Sequence, residues 1–235
     1  LVSRETMLLM NNVLLVVACG SVLLGTLYPL LLDALNMGKI SVGPPYFNAV
    51  FVPIMVPLLF LMAAGPIARW KHAEVKDIAR QLAFAFVIAV AGGVALPFAM
   101  GAWSPLVALG LMLALWITAS SVVQIRARLK TGAPPRAYWG MHLAHLGIAV
   151  FVVGVTLVGG YQVEKDVRME PGDTVTIDRY TFRFLGVKQV PGPNYKAMRG
   201  DVELIVGGKV DKMMHREKRN YFTSQVPMTE AAIDT

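Results

Sequence analysis

The sequence has little charge in its first two thirds and only one cysteine. Residues 1–160 contain ten Lys or Arg and four Asp or Glu, whereas residues 161–235 contain twelve and eleven. Cys19 has no second cysteine for an internal disulfide, so we expect it to be a small packing residue. With 55% hydrophobic residues, the chain is more apolar than soluble domains of its length. The missing charge excludes an ordinary soluble domain for residues 1–160 and favours a membrane part followed by a small water-facing domain.

Five apolar segments are each long enough to cross a bilayer, which takes about 20 helical residues. They span roughly residues 9–32, 46–68, 81–100, 105–125 and 139–160. Pro53 and Pro57 in the second segment, and Pro97 in the third, are tolerated in membrane helices. A soluble all-α core is disfavoured because buried soluble helices rarely run this long without a charge. The sequence predicts a polytopic α-helical membrane protein, with a transmembrane domain over residues 1–160.

Basic residues of the membrane part gather on one side of the predicted helices. Nine precede the first segment or lie in the second-to-third and fourth-to-fifth connections: Arg4, Arg69, Lys71, Lys76, Arg80, Arg126, Arg128, Lys130 and Arg136. The short connections on the other side contain only Lys39. The positive-inside rule therefore predicts a multi-pass membrane protein whose C-terminal domain lies outside the cytoplasm; in a bacterium with two membranes, this is a protein of the inner membrane with that domain in the periplasm. This distribution accounts for the net charge of +7, and nucleic-acid binding is not supported.

From Tyr161 onward the sequence alternates apolar and polar residues, as half-buried strands do. The alternation covers residues 173–177 and 180–187, and Gly207-Gly208 separates two further runs, 201–206 and 209–213. Residues 171–173 and 191–194 are typical of turns. We predict a β-rich domain over residues 161–235, either a small barrel or a sandwich. The pattern leaves open whether it binds a partner or is a structural cap.

Several residues outside the membrane segments are weak candidates for metal or cofactor sites. His215 lies in a basic run without a second ligand nearby, so a solvated strand end is the favoured interpretation. His72, among the charges of a connection, is predicted to be a surface residue. Met213 and Met214 are adjacent on a predicted strand and point to opposite faces, so they cannot act as a pair.

The main candidate site lies at the start of the fifth segment, in Gly140-Met141-His142-Leu143-Ala144-His145-Leu146-Gly147. An imidazole in hydrocarbon needs a hydrogen-bond partner or a metal. We expect His142 to lie nearer the interface, where water could serve it, and His145 roughly 9–10 Å into the bilayer. The small residues Gly140, Ala144 and Gly147 would let a flat ligand or a helix approach.

Three interpretations of these histidines remain open from the pattern alone. Both lie on one side of a straight helix, so they cannot ligate a haem iron from opposite faces, and the other four segments contain no histidine. A bis-histidine haem would therefore need its second ligand from outside the chain. The alternatives are an interhelical hydrogen bond from His145 to a backbone carbonyl and a proton relay, for which Asp33 is the nearest carboxylate.

Strings spread along the whole chain resemble a known family. They include Ser3-Arg4-Glu5-Thr6-Met7-Leu8-Leu9, Gly25-Thr26-Leu27-Tyr28-Pro29-Leu30, Ile40-Ser41-Val42-Gly43-Pro44-Pro45-Tyr46-Phe47-Asn48, Tyr138-Trp139-Gly140-Met141, Ala144-His145-Leu146-Gly147, Val163-Glu164-Lys165-Asp166-Val167-Arg168-Met169 and Glu217-Lys218-Arg219-Asn220-Tyr221. Together they are similar to the C-terminal part of the CcmF (CycK/NrfE) family of cytochrome c-type biogenesis proteins, the haem lyase component of the system I pathway.

The resemblance implies a function in haem delivery. The family takes haem from the haem chaperone CcmE and attaches it to the Cys-x-x-Cys-His motif of apocytochrome c, and members hold a membrane haem b that keeps the incoming haem reduced. His145 occupies the position of one axial ligand of that haem b, with His142 as its neighbour. Arg136 could contact a haem propionate or simply set the topology. The implied partners are CcmE, apocytochrome c, subunits of the CcmH/CcmI type and membrane lipid.

The resemblance also implies that the chain is a piece of a longer protein. The family's tryptophan-rich WWD segment, two periplasmic histidines and the other haem b ligand belong to an N-terminal portion, and a last transmembrane helix is expected after Ile233-Asp234. No catalytic residue is assigned to this chain, which we expect to be inactive alone as a haem lyase. The rival function is a transporter or structural membrane subunit with packing or proton-carrying histidines; a scaffold that binds no haem is a third.

Overall fold

A computed structural model of the chain describes residues 3–38, 40, 42–68, 74–223 and 226–232. These residues form two compact units, Leu1–Gln162 and Val163–Thr235. The first contains five long helices and the second contains one antiparallel sheet. The predicted surface histidine His72 and the predicted topology charges Lys39, Arg69 and Lys71 lie outside the described residues.

The five predicted membrane helices are confirmed. They are α1 (Arg4–Ala34), α2 (Pro44–Ala64), α3 (Val75–Ala99), α4 (Pro105–Leu129) and α5 (Arg136–Tyr161), and a short 3₁₀ turn, Gly65–Ile67, follows α2. All five are long and apolar enough to cross a membrane. Most extend past the predicted apolar limits because flanking polar residues continue the helix: Ser3 caps α1 by accepting a hydrogen bond from the Thr6 N–H at 3.1 Å.

Helix α4 is the most buried element of the helical unit and contacts α2, α3 and α5. Two of its side chains donate hydrogen bonds to backbone carbonyls of α2. The Trp116 indole N–H reaches the Phe60 carbonyl, and the Gln124 amide reaches the Ala63 carbonyl, each at 3.0 Å. The Ala63 carbonyl belongs to the last turn of α2, where carbonyls lack a helical partner, so Gln124 satisfies a group that lipid could not.

Helices α3 and α4 approach most closely at a glycine. A Cβ added to Gly93 would lie 2.6 Å from the Met112 Cβ and 2.7 Å from the Met112 Cα, which are distances that real Cβ atoms do not show. The neighbouring Gly92 differs, because a Cβ there would meet only the mobile end of the Leu115 side chain. Gly93 therefore sets the separation of these two helices.

The second unit is a five-stranded antiparallel sheet with its strands in chain order. The strands are β1 (Thr174–Ile177), β2 (Tyr180–Pro191), β3 (Tyr195–Val206), β4 (Lys209–Tyr221) and β5 (Met228–Glu230). The predicted two-glycine hairpin is confirmed: Gly207 and Gly208 have φ of +57° and +81° and join β3 to β4, with Val206 paired to Lys209.

Two irregularities bend the sheet. The register shifts between Phe184 and Gly186 in β2 and between Leu204 and Ile205 in β3. Bulges of this kind increase local twist, so a single sheet can cover part of its own apolar face. Leu204 is accordingly only 3% exposed.

The contact at Gly93 predicts that two adjacent glycines respond differently to the same substitution. Gly93→Ala should destabilise the purified protein by about 1–3 kcal/mol relative to Gly92→Ala, because only the first forces backbone atoms apart. Unfolding in mixed detergent micelles, followed by tryptophan fluorescence, would measure the difference. Equal stabilities for the two variants would contradict the close approach of α3 and α4.

Candidate functional site

Both candidate histidines lie in the first half of α5, which begins directly after Pro134-Pro135. The preceding prolines cannot continue a helix backward, and they fix the start of α5 at Arg136. The rings of His142 and His145 are neighbours, with centroids 6.3 Å apart and planes at 80°. The spacing of three residues thus places the two imidazoles side by side, as predicted.

The two rings differ in their surroundings. His142 is 1% exposed, whereas His145 remains partly exposed. Tyr138 lies one turn earlier and packs edge-to-face on the His142 ring, with centroids 4.5 Å apart. His142 and Ala149 are two turns apart on the face of α5 that is buried in the helical unit. The expectation that interfacial water serves His142 is therefore wrong for this fold, because protein covers that face of the helix.

The buried ring of His142 has an unusual hydrogen-bond state. Neither its Nδ1 nor its Nε2 has a partner among the described residues. Leaving a buried polar group unpaired costs about 1–3 kcal/mol. The fold therefore buries the His142 ring at a cost in free energy. Among the described residues, the other buried side-chain atom without a hydrogen bond is the Arg199 Nε, which has an ion-pair contact with Asp201 instead.

Contacts along α4 and α5 show which residues of α4 lie at the level of the histidines. A Cβ on Gly110 would meet Thr156, and Ile117 shares a core cluster with Ala149. Since the helices are antiparallel, each step forward along α4 corresponds to one step back along α5. This register places Ser121 level with His145 and Gln124 level with His142. The polar residues of α4 are thus at the same depth as the histidines of α5.

The other residues named for the site are not brought together with His145. Arg136 is exposed and lies nine residues earlier, which is about 13 Å along the axis and on the opposite side of the helix. Gly147 follows His145 by two residues and also lies nearly opposite it. A Cβ added to Gly140 or Gly147 would have nothing within 4 Å, so these glycines border an open face rather than the histidine side.

The residues present fit a haem iron with one axial ligand from this chain. His145 is partly exposed and can present a ring nitrogen to a group beside α5, whereas His142 is covered by protein. The described residues contain no cluster of three or more His, Cys, Asp or Glu able to hold a metal ion. A second axial histidine has no source in α1–α4, which contain no histidine. The burial of His142 was not predictable from α5 itself, because that helix is apolar on every side.

The sheet unit has a second cluster of functional groups, centred on Asp201. The Lys188 ammonium lies 2.6 Å from Asp201 Oδ2, and the His215 Nδ1 lies 2.7 Å from Oδ1. The guanidinium of Arg199 is 3.3 Å from the same Oδ1. His215 lies in the middle of β4, so its prediction as a strand end is wrong; its exposed ring pairs with the Asp201 carboxylate of β3.

Charge pairing shifts the pKa of Asp201. The hydrogen bond from Lys188 holds the pKa of the carboxyl below its ordinary value; desolvation opposes this shift, and His215 and Arg199 add to it. Further along the sheet, Glu217 raises the pKa of Arg219, whose guanidinium also lies 4.6 Å from the centroid of the Tyr195 ring. This face of the sheet is therefore an ion-paired surface at neutral pH.

Sequence comparison finds the same relatives for the helices and the sheet. Residues 160–235 match the family profile described as the CcmF C-terminal beta-sandwich. Two curated relatives are both described as cytochrome c-type biogenesis protein CcmF. The protein of Pseudomonas fluorescens is 44% identical over 239 residues, and that of Escherichia coli K12 is 42% identical over 236 residues. Each alignment covers 99% of this chain and 36% of the relative.

A solved structure described as the cytochrome c haem lyase CcmF has a similar fold. It superposes with a TM-score of 0.68 over 92% of this chain and 35% of its own chain, at 22% identity. At that identity the likeness concerns the fold alone. The chain thus spans little more than a third of the length of the proteins it resembles.

The ion pairs of Asp201 predict an acid-sensitive sheet. The pKa of the Asp201 carboxyl is lower in the folded protein than in the unfolded chain. The stabilisation from its ion pairs is therefore complete above about pH 4 and is lost as pH falls through the folded pKa. We expect amide protection factors in β3 and β4 to drop more between about pH 6 and about pH 3 in the wild type than in Asp201→Asn. Hydrogen exchange with mass spectrometry measures this. Parallel losses in both proteins would show that Asp201 is not responsible.

Proposed function

The chain belongs to the CcmF (CycK/NrfE) family of cytochrome c-type biogenesis proteins, and we propose that it forms the C-terminal part of a cytochrome c haem lyase. In this proposal the complete protein transfers haem from a haem chaperone to apocytochrome c and keeps it reduced through a membrane haem b. The observation that supports the proposal most directly is His145: a partly exposed imidazole within a membrane helix, in a chain that aligns throughout with these relatives.

His145 would hold the haem b iron as one of two axial ligands. A bound haem b supplies one-electron redox chemistry within the membrane. The tasks of this chain are to keep the His145 ring in place and to exclude water around it. Packing of α5 against α4 fixes the rotation of the helix, and the rest of the longer protein would provide the second imidazole. His142 remains a neighbour that packs on Tyr138, and Arg136 fits a topology-setting charge better than a propionate contact.

The proposed topology follows the distribution of charge. The last turn of α4, with Arg128, and the connection to α5, with Lys130, lie in the cytoplasm of a bacterium, and α5 crosses the inner membrane from there. The sheet unit, which succeeds the transmembrane domain near residue 160, lies in the periplasm. It is available there to the haem chaperone, apocytochrome c and subunits of the CcmH/CcmI type.

Thioether formation itself is not assigned to any residue of this chain. The reacting thiols belong to the Cys-x-x-Cys-His motif of apocytochrome c in this proposal. Cys19, the one thiol of the chain, is in the middle of α1, within an apolar stretch. The chain therefore contributes redox support and a docking domain, and the complete lyase activity requires the N-terminal portion.

Visible spectroscopy tests the ligand assignment. We expect the chain, purified together with its N-terminal portion, to show a low-spin b-type signal in the reduced-minus-oxidised spectrum. His145→Ala should lose this signal, and His142→Ala should keep it, because only the first removes an axial ligand. Adding free imidazole to His145→Gly should restore a low-spin spectrum, which a purely structural role for His145 would not produce.

The same spectra can contradict the proposal. If the wild type has no haem, or if His145→Ala retains the full signal, then His145 is a packing or proton-carrying residue. The rival function of a transporter or structural subunit would then be preferred.

Thiol labelling tests the topology. In a Cys19→Ser background, Lys165→Cys should react with a membrane-impermeant maleimide added to spheroplasts, whereas Lys130→Cys should react only after the membrane is opened. Both positions are exposed in the structure, so a difference reflects the side of the membrane. Labelling of Lys130→Cys in intact spheroplasts would overturn the proposed orientation.

A further inference from the structure

The two open edges of the sheet differ in how they are protected against further strands. Among the described strands, β1 pairs with β2 alone, and β5 covers only residues 217–219 of β4. The uncovered part of β4 carries exposed cations such as Lys209 and Arg216. Charges of this kind discourage edge-to-edge pairing. The residues of β1 are Thr174-Val175-Thr176-Ile177, which are all β-branched and uncharged. The edge of β1 therefore lacks the protection by charge that the edge of β4 has.

The hydrogen-bond pattern shows which backbone groups of β1 face its open edge. The Phe184 N–H donates to the Asp173 carbonyl at 2.9 Å, directly before β1. In an antiparallel ladder, residues that bond to the partner strand alternate with residues whose backbone groups point away from it. The odd-numbered residues of β1 therefore bond to β2, and the N–H and C=O groups of Thr174 and Thr176 point away from it. Both threonines are exposed. The edge thus offers two donors and two acceptors with the spacing of a strand ladder.

A groove of about 590 Å³ lies beside these groups. It is lined by residues 174–176 of β1 and by residues 165, 167–169 and 172–173 of the preceding connection. Side chains of successive strand residues point to opposite faces of a sheet. Since three successive residues of β1 line the groove, it lies along the edge of the sheet rather than over one face. Its volume is within the range of natural ligand sites, and an added strand would lie about 4.8 Å from β1.

The charges of the connection are distributed unequally around the groove. Its cations Lys165 and Arg168 both line the groove. Three carboxylate residues of the same segment do not line it: Glu164, Asp166 and Glu170. The carboxylate residue in the lining is Asp173, whose Oδ2 accepts a hydrogen bond from the Glu170 N–H at 2.8 Å and so closes the turn before β1. The lining has a net positive charge, which complements a ligand that carries carboxylates.

We propose that the open edge of β1 binds an extended, carboxylate-bearing segment of a partner polypeptide by strand addition. The main chain of that segment pairs with the outward backbone groups of Thr174 and Thr176, and its carboxylates pair with Lys165 and Arg168. A second copy of this chain fits the edge less well, because pairing two β1 edges brings the same cations together. The inference depends neither on the haem ligand nor on the membrane topology proposed above.

Binding of labelled peptides to the chain, purified together with its N-terminal portion, tests the proposal. The probe is a fluorescein-labelled peptide of alternating valine and glutamate, and its control has lysine in place of each glutamate. We expect the fluorescence anisotropy of the acidic peptide to rise in a saturable way, with an affinity about tenfold or more above that of the lysine peptide. Lys165→Gln with Arg168→Gln should remove this preference. The matched control, Lys209→Gln with Arg216→Gln, removes the same charge at the other edge and should keep it.

A proline variant tests the main-chain pairing. Thr176→Pro removes an outward N–H without breaking a bond to β2, as proline does on natural edge strands, and should weaken the acidic peptide about tenfold. The matched control is Met213→Pro on β4, whose N–H points away from β3 by the same alternation, counted from the hydrogen bond between the Phe222 N–H and the Asn194 carbonyl. This control should bind the peptide as the wild type does. Amide exchange in β2 and β3 reports whether each variant retains the sheet.

Four results would overturn the proposal. The first is equal binding of the acidic and lysine peptides, and the second is unchanged binding by a folded Thr176→Pro protein. The third is slow amide exchange at Thr174 and Thr176 without peptide, which would assign the edge to a segment of the longer protein. The fourth is a dimer that the peptide dissociates, which would assign the edge to a second copy. The haem spectrum of the same samples reports separately on the proposed lyase function.

Discussion

The burial of α4 among three other helices is the constraint on which the helical unit depends. A membrane offers no hydrophobic driving force between helices, so close packing and hydrogen bonds must hold them together. Glycines at 93 and 110 let α3 and α5 approach, and Trp116 and Gln124 bond to carbonyls of α2. Each of these contacts fixes both the position and the rotation of the neighbouring helix. The rotation of α5 then decides that His142 faces protein while His145 stays partly exposed.

Hydropathy and alternation predicted the element types because each reflects a local requirement. Five apolar runs became five helices, and Gly207-Gly208 became a two-residue hairpin turn because both positions need positive φ. The predicted ends of the helices were less accurate than their number, because a helix continues past its apolar run. Arg126 and Arg128, for example, lie within α4. Polar residues at a membrane surface can remain helical at little cost, so composition does not mark where the helix ends.

The candidate site was only partly predictable. Spacing placed His142 and His145 side by side, and the structure agrees. The spacing did not reveal which ring is buried, because α5 is apolar on every side and has no amphipathic period that would orient the helix. Burial depends on contacts with α4 that are distant in sequence. The predicted open approach to α5 at Gly140 and Gly147 lies on another side of the helix than His145, because helical geometry puts Gly147 nearly opposite His145.

The environments of the two imidazoles favour different tasks for them. A ring covered by protein and packed on Tyr138 has no side from which a planar macrocycle could approach its nitrogens. A partly exposed ring at the same depth has such a side, and the helix beneath it is held by α4. The glycine face of α5 is open but points away from His145, so a helix that packs there need not compete with a ligand on the histidine side. The geometry of α5 thus separates the open glycine face from the side that presents His145, which is the side where the proposed haem b would lie.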